Sequence, residues 1–183
     1  TVYPNNKQVR DERQQACFLV RMFAIAAAHG VEQVQVMYVR DILHAATLPG
    51  QGETQRNFGF FFEPGKWKEQ AVATRVMTRL LPDPRRDVTT IHEEPKGVYA
   101  YCFQGLDDLP VIMAWHSADG SEQRQFSLPL GKFVEATSVD MLGKEVRPLA
   151  VSEDGKVTVT LSEAPVYIVP AAEARARAAL TAP

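Results

Sequence analysis

Two prolines in three residues, Pro82-Asp83-Pro84, divide this chain into two patterns that no single kind of secondary structure can share. Proline has no amide hydrogen and its ring clashes with the preceding turn, so a helix that reaches this point stops. Upstream, apolar residues recur at helical spacing. Downstream they alternate with period two, which puts successive side chains on opposite faces of a strand. The alternation is clearest in Lys156-Val157-Thr158-Val159-Thr160-Leu161, which with Val166-Tyr167-Ile168 reads as the closing strands of a β-sandwich.

The strand-like runs are Val98 to Gln104, Leu109 to Trp115, Gln123 to Leu128, Phe133 to Val139, Arg147 to Val151, Lys156 to Leu161 and Val166 to Val169. Turns such as Asp119-Gly120, Leu142-Gly143 and Asp154-Gly155 separate them, and short strands about 8–12 residues apart imply an antiparallel sandwich. Ala171 to Pro183 reads as either a frayed helix or a disordered tail. Before the prolines, Asp11 to His29 carries Ala16, Leu19, Val20, Phe23, Ala24 and Ala27 on one helical face, and Gly30 follows as a stop. Val31 to Val39 reads as a buried strand, and Leu48 to Asn57 as a loop. A second helix is expected from Lys66 to Leu81, with Trp67, Ala71, Thr74, Met77, Thr78 and Leu81 on its stripe and Trp67 as a packing anchor. Helix, strand, loop and helix together are α/β punctuation.

Composition excludes several classes. With 20 basic against 22 acidic residues there is no electrostatic case for nucleic acid. The longest apolar run, Ala16 to Ala28, is interrupted by Arg21 and falls short of the roughly 20 residues of a membrane span. Thr1 is neither an initiator nor part of a signal peptide, so the compartment stays open. An N-terminal nucleophile at Thr1 is the sharper reading, but Pro4 and two asparagines make this end a loop, and a fragment boundary explains it better. Cys17 and Cys102 form no disulfide framework and read as buried free thiols. His29, His44, His92 and His116 lack metal-ligand spacing, and Gly50-Gln51-Gly52 lacks the lysine of a phosphate loop, so neither metal nor cofactor is expected. Glu93-Glu94 and Asp107-Asp108 suit solvated turns, since neighbours on a strand face opposite sides.

The order of the segments resembles the end of a clan A glycoside hydrolase. The matching features are the helix Gln15-Ala16-Cys17-Phe18-Leu19-Val20-Arg21, the strand ending Tyr38-Val39-Arg40-Asp41, and the turn Phe58-Gly59-Phe60. They continue through Val98-Tyr99-Ala100-Tyr101-Cys102-Phe103, Pro110-Val111-Ile112-Met113-Ala114-Trp115, Val139-Asp140-Met141-Leu142-Gly143-Lys144 and Ala164-Pro165-Val166-Tyr167-Ile168. The resemblance implies a mixed α and β fold: a partial (β/α) barrel remnant over 1–83, an antiparallel β-sandwich over 88–170, and a tail over 171–183. It also implies a carbohydrate substrate for the complete enzyme. Such enzymes use two carboxylates, which the resemblance puts at the ends of the fourth and seventh barrel strands, so both fall outside this chain and the nucleophile just upstream of Thr1. A barrel takes about 250 residues and only the first 80 or so are free for one, so this chain is not expected to hydrolyse sugar alone.

Residues at the C-terminal ends of barrel strands line the site. By that rule Tyr38, Arg40, Asp41 and His44 are candidates for sugar contact, with a strand-end ion pair between Arg40 and Asp41 as the plainer alternative. Met37 stands where the family often carries a sugar-stacking tryptophan and reads as core filler. A lone buried strand between two helices needs its edges covered, by the remainder of the barrel, by a second copy of the chain, or by the sandwich. The alternative function is a non-catalytic carbohydrate-binding or protein-interaction sandwich, which requires exposed aromatics. Trp115 and Tyr101 lie in apolar runs instead and read as core.

Overall fold

The computed structural model of the chain describes residues 11–36, 60–63, 66–84, 87–94, 97–105, 109–117 and 122–181. Helix α1 (Glu12–Ala28) starts where the Asp11 carboxylate accepts the Gln14 amide at 2.8 Å, satisfying one of the donors a helix start leaves open. It ends at His29 and Gly30, the latter at φ +73°, a conformation that glycine takes without strain. Residues 31–36 carry no regular structure, with Val31 and Val36 exposed. The strand expected over Val31–Val39 is thus not seen in its first six residues, which have no ladder partner among the described residues; the rest of it lies outside them.

A short hairpin, β1 (Phe61–Glu63) with β2 (Lys66–Trp67), leads into α2 (Glu69–Leu80). The expected helix start at Lys66 moves to Glu69 because Lys66 and Trp67 pair with Glu63 and Phe61. Trp67 is consequently no packing anchor: it is 50% exposed, with the Arg75 guanidinium 5.8 Å from its ring centroid. Arg13 near the start of α1 approaches Glu69 at the start of α2, while Phe23 and Ala27 share a cavity wall with Met77 and Leu81 near the other end. The two helices therefore run parallel and in contact, and α1 ends at the end opposite the one where α2 begins.

Beyond the prolines the chain builds β3 (Thr89–Glu93), β4 (Val98–Gln104), β5 (Pro110–His116), β6 (Arg124–Pro129), β7 (Ala136–Asp140), β8 (Val146–Leu149), β9 (Lys156–Leu161) and β10 (Val166–Val169). Six of them form a sheet in the order β3-β4-β5-β10-β7-β8, and β6 pairs with β9 as a separate ribbon; every pairing is antiparallel. The short edge strand β3 is polar and bulged between Thr90 and His92, which is why period two does not reveal it.

Period two explains the layering. On one face of the sheet Tyr101, Phe103, Val111, Met113, Trp115, Val139, Tyr167 and Val169 pack with Ala16, Val20, Ala24, Ala73, Val76 and Met77 of the helices. On the other, Val98, Ala100, Ile112, Ala114 and Ile168 meet Leu128, Val157, Val159 and Leu161 of the ribbon. The aromatic residues of the sheet thus face the helices, and the residues facing the ribbon are aliphatic. Trp115 anchors the helical face, stacked on Tyr99 at 5.2 Å and tilted against Tyr101 at 5.7 Å. Each such ring pair adds about 0.5–1.5 kcal/mol beyond simple burial. A third helix, α3 (Glu173–Thr181), resolves the reading of the tail: Ala176 and Ala179 are buried, and Arg177 donates to the Val146 carbonyl at 3.1 Å. The structure is the expected mixture of helices and an antiparallel sandwich, stacked as helices, sheet and ribbon.

Candidate functional site

In α/β units the loops that leave the C-terminal ends of strands feed the N-terminal ends of helices, so binding chemistry collects where the helices start. At that end the described side chains include Arg13, 4.0 Å from Glu69, the half-exposed Trp67, and Lys68, which is only 2% exposed. The Lys68 amide donates to the Phe60 carbonyl at 3.1 Å, fixing the approach to α2. The expected sugar contacts Tyr38, Arg40, Asp41 and His44, together with Met37, lie outside the described residues.

Two side-chain contacts bind α1 to the sandwich, Arg21 with Glu163 and His29 with Glu93. Arg21, which interrupts the apolar run of α1, is itself buried: it meets Glu163 between β9 and β10 at 3.1 Å, donates through Nε to the Cys17 carbonyl at 3.3 Å, and lies 4.8 Å from the Phe18 ring centroid. At the far end His29 Nε2 lies 3.2 Å from both carboxylate oxygens of Glu93. Glu93 therefore sits in β3 against a helix rather than in a solvated turn, while Glu94 faces His92 at 3.7 Å and Arg124 at 3.8 Å. A charge inside an apolar helical run was the one sequence signal for the Arg21 contact. Glu163 and the buried Lys68 carried no such signal.

The buried nucleophiles are quiet. Burial, against an opposing effect of Arg21, pushes the Cys17 thiol up to about 11, and burial also raises the half-buried Cys102. Burial, and then the nearby Glu93, pushes the Tyr101 phenol above its ordinary range; burial alone does so for Tyr167. Thiols and phenols held protonated are poor nucleophiles, so these side chains serve packing. The described sandwich aromatics do not form an exposed strip: Trp115 and Tyr101 are fully buried, and the half-buried Tyr99 lies against Trp115. No helix among the described residues is long and apolar enough to cross a membrane.

Parallel helices lying on an antiparallel sandwich define the class of fold, and its solved neighbours are clan A glycoside hydrolases. No family model and no curated protein matches the sequence. A family 39 glycoside hydrolase from the gut symbiont Bacteroides cellulosilyticus WH2 superposes with a TM-score of 0.59 at 20% identity, over 90% of this chain and 31% of that one. A family 30 subfamily 8 xylanase from Clostridium acetobutylicum gives a TM-score of 0.53 at 8% identity, over 88% of this chain and 40% of that one. At such identities the likeness is one of fold. The chain spans well under half the length of either enzyme.

Proposed function

We propose that this chain is the C-terminal part of a clan A glycoside hydrolase, supplying the last barrel units and a structural sandwich while the catalytic carboxylate pair resides in the part of the enzyme before it. In this reading 1–83 belongs to the barrel, 88–170 is the sandwich and 171–183 closes the chain against it. The observation that supports it best is the pair of parallel helices docked on the sheet. Parallel neighbours in contact arise when the chain returns between them, as it does through each strand of a (β/α) barrel. The coverage of only 31% of the family 39 enzyme fits a chain that carries the last units alone.

The complete enzyme would cleave an O-glycosidic bond in a carbohydrate between two carboxylates, one acting as general acid and base and one as nucleophile or as base toward water. Tyr38, Arg40, Asp41 and His44, at the end of the last barrel strand, would hydrogen-bond sugar hydroxyls and orient the ring. The sandwich holds α1 through Arg21–Glu163 and His29–Glu93. Turnover of aryl glycosides tests this. The chain alone is expected to give none, and a polypeptide extended upstream to a full barrel is expected to hydrolyse them, with Arg40→Ala or Asp41→Ala lowering kcat/KM about 10- to 100-fold through lost positioning. Turnover by this chain alone, abolished by a substitution within it, would overturn the proposal.

A further inference from the structure

We draw no further inference here: the strongest candidate, the groove of about 420 Å³ between β9 and the strands β7 and β8, lined by Arg13, Ser138, Asp140, Arg147 and Thr160 among others, carries nothing because nothing in the structure shows what covers it.

Discussion

Removing the carboxylate of Glu163 should loosen the whole helical layer. Its partner Arg21 has a side chain only 8% exposed, and Glu163 itself is 18% exposed, so this pair is largely withdrawn from solvent. In Glu163→Gln the guanidinium keeps the Cys17 carbonyl and the Phe18 ring but loses the charge of the carboxylate 3.1 Å away. Breaking one side of a buried pair typically costs about 3–5 kcal/mol, and the partial exposure of Glu163 points to the low end, about 3 kcal/mol. For a protein of this size that lowers Tm by about 6–12 °C. Replacing both partners, Arg21→Met with Glu163→Gln, should recover most of the loss, because the desolvation cost of the charge goes with it. Urea unfolding followed by tryptophan fluorescence, run as a double-mutant cycle, reads the coupling directly, with Trp115 beneath the helices as the buried reporter. A single variant costing under about 0.5 kcal/mol, or a double variant as unstable as the two singles added together, would refute the view that this contact holds α1 on the sheet.

Cys17 should make stability fall at alkaline pH: its thiol is raised to about 11 in the fold from an ordinary value near 9, so the native state holds the proton longer, and stability present below pH 9 is lost as pH rises toward 11. The loss is roughly 1–3 kcal/mol, and Cys17→Ala should flatten the alkaline limb of a pH series of urea midpoints. Ala24→Leu should cost about 1–3 kcal/mol, since Ala24 is 0% exposed where α1 lies on the sheet; the urea midpoint measures it, and a neutral effect would mean the helix is not closely packed there. Gly155→Ala should cost about 1–3 kcal/mol, because Gly155 sits at φ +71° and an added Cβ meets the Gly131 carbonyl oxygen; a melting temperature equal to wild type would contradict the turn geometry.

What the sequence reveals here follows from periodicity. Val98–Gln104, Lys156–Leu161 and Val166–Val169 are legible to the residue because both of their faces are buried or cleanly alternate. Thr89–Glu93 escapes that reading because an edge strand with one bulge and polar side chains has no hydrophobic period to show. Trp67 misleads because its position one residue before the cap of α2 is indistinguishable, by spacing alone, from a place on the helix stripe. The division at Pro82 marks a change of secondary structure, yet Ala73, Val76 and Met77 before it share a core with Tyr101 and Trp115 after it, because apolar faces pair across any local break. The ion pair of Arg21 with Glu163 joins positions 142 residues apart, a relation no local pattern carries. For Tyr38, Arg40, Asp41 and His44 the sugar-contact reading rests on strand-end position alone.

The most direct test of the central claim is the intact mass, under denaturing conditions, of the polypeptide that carries this sequence in its native source. If the chain is the closing part of a barrel enzyme, which takes about 250 residues for the barrel itself, that polypeptide weighs roughly two to three times the 20.3 kDa of the 183 residues. A native species of 20.3 kDa, with no companion polypeptide bound to it, would contradict the account.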